Sequence, residues 1–360
     1  MSCGRRPVCS SPAHLSNSLQ RYLASFRVMN LHQLRALSAV GRYGSFSAAA
    51  DVLHTVQSNV SAHVARLENE LQAVLVDRAT GQLTEQGKAV VSRATRVEME
   101  LEAIASDLAA LRHEVIGTAR VGMIGTTARW LVPPLLALSA ERHPALRLEI
   151  IEGTSGAHDA SLMSGAVDLA VGTRPHDAHD LVFEALFDED LVLVVPSSDP
   201  IAERKEVSLR DVESLPMLLP LPGTAFRAEI DHAAAEAGVV LFRRAEVDGT
   251  RLLASLTFDG HGPAILPATA VPEYMRNSWS LVHVGEMPRR QVGITTRLRG
   301  RPTAPARAVL DILREVTAPG SRLPEGLNPV RADAGAGAGN DQSAKLRTRR
   351  AVGADGSALA

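Results

Sequence analysis

The sequence predicts an α/β protein with an N-terminal all-α head. The expected order is a winged helix-turn-helix, a linker helix and a body of two α/β subdomains. Three observations carry this. Apolar residues recur at helical spacing through three short segments between Leu31 and Leu71. A 3.5-residue apolar repeat runs from Val90 to Val115. From Ala119 onward, strand-like and helix-like segments alternate.

In the head, Leu31, Leu34, Leu37, Ala39 and Val40 define a first helix, which Gly41 and Tyr43-Gly44 end. Ser45 is placed to cap a second helix from Phe46 to Leu53, whose Ala48, Ala49 and Ala50 let a neighbour approach closely. His54-Thr55-Val56 is a short break. A third helix from Gln57 to Leu71 carries the stripe Val60, Val64, Leu67 and Leu71. Two extended pieces around Thr80-Gly81 then suggest a wing.

By spacing alone, this head would suit a purely structural helical bundle. Its polar face points elsewhere. The third helix opens with Gln57, Ser58, Asn59 and Ser61, side chains that pair with base edges or hold phosphates in a major groove. A helix N-terminus also attracts phosphate.

The repeat Val90, Ala94, Val97, Leu101, Ile104, Leu108, Leu111 and Val115 reads as a coiled-coil seam on a linker helix over 89–116. Its consequence is self-association as a dimer, which would place two third helices about a two-fold axis.

In the body, strands are expected at 119–124, 146–152, 168–172 and 191–195, with helices at 130–142 and 157–164 between them. A second unit has strands at 217–219, 244–247 and 264–266 and helices at 225–237 and 250–258. A strand at 291–297 and a helix at 304–316 return to the first unit. The alternation predicts a mostly parallel sheet. The first subdomain is expected to span about 117–194 and 288–316, and the second about 195–287.

Composition sets the bounds. With 360 residues, the chain is long for one domain; 45% hydrophobic and 22% charged residues exclude a rod or a wholly disordered chain. Cys3 and Cys9 are the only cysteines, so the rest of the chain offers no disulfide, thiolate nucleophile or Cys-ligated metal. A reducing, cytoplasmic setting fits. No apolar run is long enough to form a membrane helix, and no signal peptide is visible. The net charge of -2 conceals a basic stretch at 1–28 and a basic tail at 317–360 around an acidic body; this would suit a DNA partner, although solvated termini collect charge too. Residues 1–28 are expected to be a disordered extension, and the Gly-rich stretch 317–360 a disordered tail.

Catalysis finds no support: no Gly-x-Ser-x-Gly, His-Glu-x-x-His, Gly-x-Gly-x-x-Gly or Walker loop occurs. The chain is therefore expected not to be an enzyme and to need no cofactor. His176 and His179 around Asp177 could bind a metal but suit a solvated loop better, so no metal site is assigned.

The string LHQLRALSAVGRYGSFSAAADVLHTVQSNVSAHVARLENEL, followed by LTEQG, resembles the winged helix-turn-helix of LysR-type transcriptional regulators. That resemblance implies DNA contact by Gln57, Ser58, Asn59, Ser61 and His63, with Ser45 and Ser47 meeting phosphates. Arg66 is the only arginine on the third helix and Arg78 the only one on the wing, and both join this set. Ala62 and Ala65 stand where members of the family often carry Arg, so phosphate attraction should be weaker and more dependent on a second subunit.

The motifs GMIGTTARWLVP, DLAVG, DEDLVLVVP, PGTAFR and GHGPAILP, in that order, are similar to the family's effector-binding domain, itself like periplasmic solute-binding proteins. The resemblance places Gly125, Thr126, Thr127, Gly223 and Thr224 on the ligand cleft. Phe226, Arg227 and Thr250 are further candidates, and Arg129 or Arg227 could neutralise an anion. Each of these also suits a cap or turn position without a ligand.

The expected function is therefore ligand-responsive transcriptional regulation. The partners are double-stranded DNA, a small anionic or polar effector, and further copies of the chain as a dimer or tetramer. The alternative is a solute-binding module whose N-terminal helices serve only oligomerisation.

Overall fold

The computed structural model describes residues 29–112, 114–175 and 179–330. The head contains three helices: α1 (Leu31–Tyr43), α2 (Phe46–Val52) and α3 (Gln57–Leu71). Asn30 caps α1 in a reciprocal capping box with Gln33, and Gly44 ends it in a left-handed conformation that a side chain would oppose. Ser45 caps α2. Ala49 and Ala50 are buried where the helices meet, as small residues at a close crossing should be, beside Leu37, Val40, Val60, Val64 and Leu67.

Val76 and Leu83 pair as an isolated antiparallel bridge, which makes the wing two short extended pieces around Gly81. The Leu-Thr-x-x-Gly sequence sets the start of the next helix. Thr84 caps α4 (Glu85–Ala110), its hydroxyl accepting from the Gly87 N–H and donating to the Val74 carbonyl. Gly87 has no alternative, since a β-carbon there would overlap the Leu75 carbonyl oxygen.

The linker helix begins earlier and ends sooner than the expected 89–116. Leu111 is its C-cap, so Leu111 and Val115 lie past the helical seam. The seam itself divides. Ala94 is buried in the head, whereas Val97, Leu101, Ile104 and Leu108 are exposed.

The body holds two main sheets. The first has the order β12-β4-β11-β3-β1-β2, with β1 (Gly117–Met123), β2 (Leu146–Glu152), β3 (Leu169–Thr173), β4 (Leu181–Glu189), β11 (Arg290–Arg297) and β12 (Leu327–Pro329). Helices α5 (Gly125–Arg142), α6 (Ser155–Ser164) and α10 (Ala304–Val316) belong to this unit. The second sheet has the order β6-β10-β5-β9, from β5 (Leu191–Pro196), β6 (Glu206–Val207), β9 (Ala264–Pro267) and β10 (Trp279–Val284). Beside it, β7 (Met217–Pro220) and β8 (Arg243–Val247) form a parallel pair. The helices here are α7 (Leu209–Val212), α8 (Ala225–Glu236) and α9 (Thr250–Phe258).

Three expectations need correction. The first sheet is mixed rather than mostly parallel: β1 runs parallel to β2 and β3, but β11 is antiparallel to both β3 and β4. Strand β5 belongs to the second sheet, so the crossing lies at Asp190, between β4 and β5, and the return lies between β10 and β11. The stretch after residue 316 is not structureless throughout, because β12 pairs with β4 at Glu189, Asp188 and Phe187. Residues 1–28 and 331–360, expected to be disordered, lie outside the described residues, as do His176 and Asp177.

One apolar core runs across the crossing strands, joining Val121, Leu131 and Phe187 of the first unit to Val194, Leu253 and Leu266 of the second. A second core around Leu193, Ile230 and Ile265 lies within the second unit. At about 1.5–3 kcal/mol for each fully buried large aliphatic side chain, the shared core holds the two units together.

Candidate nucleic-acid interface and ligand cleft

Helix α3 starts without a side-chain cap. Val56 holds the N-cap position and has no oxygen to offer, while its carbonyl accepts from the Asn59 and Val60 N–H groups. The first N–H groups of α3 therefore face outward at the positive end of the helix dipole. Gln57, Ser58, Asn59 and Arg66 are exposed, and Val60, Val64 and Leu67 are fully buried on the opposite face. The Asn59 amide donates to the Thr55 hydroxyl at 3.0 Å, which orients it at the mouth of the turn.

The other candidates are placed differently. The Ser45 hydroxyl accepts from the Ala48 N–H at 3.1 Å, while Ser47 is exposed. His63 is half-buried, stacked on His32 with ring centroids 6.1 Å apart, and its buried Nδ1 has no partner. It packs towards α1 rather than joining the exposed group.

Arg78 is largely committed within the head. Its Nη2 meets Glu68 at 2.7 Å, its Nη1 donates to the Ser61 hydroxyl at 3.4 Å, and its guanidinium lies 4.8 Å from the Phe46 ring centre. Burial pushes the Glu68 carboxyl up, but N–H groups of Leu75 and Val76 together with Arg78 outweigh it and hold the group below its ordinary value. Of the two arginines expected at DNA, Arg66 is the one without such a tie.

The cleft has its own geometry. Helices α5 and α9 both begin without a side-chain cap, at Ile124 and Gly249. Between these starts, Glu152 at the end of β2 forms an ion pair with Arg251 in the first turn of α9, a bond between the two subdomains. The pair lies directly against Gly125, where a β-carbon would overlap it. Thr126 and Thr127 are buried, and the Thr127 hydroxyl has no hydrogen-bond partner.

In the second unit, Thr224 caps α8, accepting from the Arg227 N–H and donating to the Leu221 carbonyl. Gly223 provides the left-handed turn before it. Thr250 is the first residue of α9 and is half-buried. The Phe226 ring lies 5.8 Å from the Arg290 guanidinium, again across the two units, and Arg290 in turn holds the fully buried Glu189.

Two arginines depart from expectation. Arg227 is 6% exposed and tied to Asp231, Glu246 and the Pro220 carbonyl, so it braces the start of α8 instead of waiting for a ligand. Arg129 lines a different cavity, beside Tyr274 and Arg276. Sequence reasoning missed Glu152, Arg251 and Arg290. Their roles depend on contacts between units far apart in the chain, and a charged residue at a strand or helix end carries no local signal of that. Among the described residues, no group of three or more His, Cys, Asp or Glu could hold a metal ion, and no helix is long and apolar enough to cross a membrane.

A head that presents an open helix start, joined by a linker helix to a two-unit α/β body, has the architecture of a ligand-responsive DNA-binding regulator. The family description "Bacterial regulatory helix-turn-helix protein, lysR family" matches residues 31–88, and "LysR substrate binding domain" matches residues 112–318. The chain belongs to the LysR family of transcriptional regulators, with a DNA-binding head and an effector-binding domain.

Among its relatives, a probable hydrogen peroxide-inducible genes activator of Mycobacterium leprae is 30% identical over 79% of this chain and 93% of that protein. A protein of the same name from Mycobacterium avium is 32% identical over 73% and 86%. Full-length OxyR from Pseudomonas aeruginosa, in a cysteine-substituted form, shares the fold with a TM-score of 0.66 at 23% identity, over 85% of this chain and 99% of that one. The LysR-family regulator CbnR, solved with its target DNA, shares it with a TM-score of 0.60 at 23% identity, over 80% and 99%.

Proposed function

We propose that the chain reads DNA with the exposed start of α3 and is switched by a small anionic effector that enters between the starts of α5 and α9. Gln57, Ser58, Asn59 and Arg66 form the reading face, and Ser47 contacts phosphate. The units of the regulator are the head up to residue 84, the linker helix Glu85–Ala110 and the effector-binding part from β1 through β12. It works in the cytoplasm as a dimer or tetramer and catalyses no reaction.

The observation that carries the effector reading is the Glu152–Arg251 ion pair against Gly125. A carboxylate of the chain already sits where two uncapped helix starts converge on a guanidinium. An effector carboxylate or phosphate would replace it there and supply the same charge. CbnR was solved with its target DNA, and the open start of α3 supports the same partner for this chain.

Several relatives are named hydrogen peroxide-inducible activators, and OxyR from Corynebacterium glutamicum was solved in a cysteine-substituted form with hydrogen peroxide bound. Thiol oxidation requires a thiolate. In this chain, both cysteines precede residue 10 and the stretch matched to the family contains none. We infer that the effector domain responds by reversible ligand binding and not by forming a disulfide.

The test is effector-dependent operator binding by full-length Arg251→Gln beside the parent. The variant should keep DNA affinity without effector and lose the response to it. An unaltered response would place the effector elsewhere. If 1 mM hydrogen peroxide alters operator binding reversibly by thiol reductant, the ligand-only reading fails.

A further inference from the structure

The chain continues beyond the stretch matched to the family, which ends at residue 318, and folds back over the body. Residues 322–325 form one wall of a cavity of about 580 Å³, within the range that holds small ligands. The opposite walls come from the start of α5 and from the segment 269–276 after β9. It is separate from the cleft: neither Glu152 nor Arg251 lines it.

Its walls combine apolar and aromatic side chains with charged ones. Trp130 is fixed edge-on against Phe187, with centroids 5.3 Å apart, while Tyr274 is 79% exposed at the rim. Val271, Pro272, Leu323 and Pro324 complete the apolar surface. The charges do not cancel. Arg276 pairs with Glu325 at 2.8 Å and Arg322 with Glu273 at 3.8 Å. Arg129 makes no ion pair or hydrogen bond with its side chain among the described residues, which leaves one uncompensated positive charge on the wall. In addition, the Nε–H of Arg276 is buried without an acceptor among the described residues, a donor whose burial costs free energy until something accepts from it.

We propose that this cavity is a second ligand site, for a small aromatic molecule carrying a single carboxylate. The ring lies between Trp130 and Tyr274, and the carboxylate takes Arg129 and the free Arg276 donor. One uncompensated cation selects a monoanion, and the apolar walls select a flat apolar body. The wall built by residues 322–325 lies beyond residue 318, where the family description ends, and sets the site apart from the cleft between the subdomains.

Calorimetric titration of the full-length protein with 1-naphthoate tests this, in an Arg251→Gln background that removes the guanidinium of the cleft. That protein should bind about one 1-naphthoate per chain. Adding Arg129→Gln should weaken binding about tenfold or more, and so should replacing the probe by neutral 1-naphthamide. Adding Tyr274→Ala, a change at an exposed side chain that leaves the fold alone, should weaken it as well. No binding up to millimolar probe in the Arg251→Gln background overturns the proposal. Equal affinity with and without Arg129 overturns it too. Neither result bears on the cleft, whose failure is read separately from the effector response of Arg251→Gln alone.

Discussion

Glu68 and Arg78 meet at 2.7 Å across the turn that joins the third helix to the wing. The other oxygen of Glu68 accepts N–H groups of Leu75 and Val76, at 2.9 and 3.2 Å. One side chain of α3 therefore fixes where the wing departs. Glu68→Ala should leave two backbone donors poorly paired and destabilise the head by about 1–3 kcal/mol, read as a lower first transition in thermal unfolding. The Glu68 carboxyl lies below its ordinary value in the folded chain. Its contribution is thus complete above the unfolded value, ~4.3, and drains away as pH falls from there through the depressed one. In Glu68→Gln, that part of the acid dependence should be missing.

Base reading by α3 makes a separate prediction. Gln57→Ala or Asn59→Ala should cost on the order of 1–3 kcal/mol on the cognate operator while leaving nonspecific DNA affinity nearly unchanged. Quantitative gel shifts with both DNAs decide it. An equal loss on the two would assign these residues to the backbone.

Ile104 and Leu108 are 59% and 57% exposed on the single chain. If that seam is the dimer interface, Ile104→Asp or Leu108→Asp should give a folded monomer that no longer holds a two-fold operator. Sedimentation that still shows a dimer would move the interface away from α4.

The Thr127 hydroxyl is buried and has no partner among the described residues. Thr127→Val keeps the shape and removes an unsatisfied group, so the unliganded protein should melt no lower than the parent and by up to ~1 kcal/mol higher in stability. The effector response should weaken, because the ligand loses a waiting hydroxyl. A marked drop in melting temperature would mean that the hydroxyl already has an acceptor in solution.

Local patterns explain what is legible in the sequence. The three head helices show themselves through period, caps and small residues, as at Ser45 and Ala49, and the strand-helix alternation locates nearly every element of the body. Strands β4 and β10 leave no such trace: in β4 the exposed Val182 is as apolar as its neighbours Leu181 and Phe183, and in β10 burial does not follow a strict alternation. Strand β12 is hidden by a composition that reads as a tail. In the cleft, Thr126 and Thr127 can be placed because a strand running into a helix start is a local feature. Arg227 is legible only in part: Asp231 stands four residues on along the same helix, but its second partner Glu246 lies on β8, which spacing along the chain does not reveal.

The two units of the body are made in different ways. The second sheet and its helices come from one uninterrupted stretch between Asp190 and Arg289, whereas the first sheet takes strands from both sides of it. A ribosome therefore delivers everything the second unit needs while the first still waits for β11, α10 and β12. The middle of the chain should gain protease resistance first during synthesis, with the sheet that carries β1 closing around it only at the end.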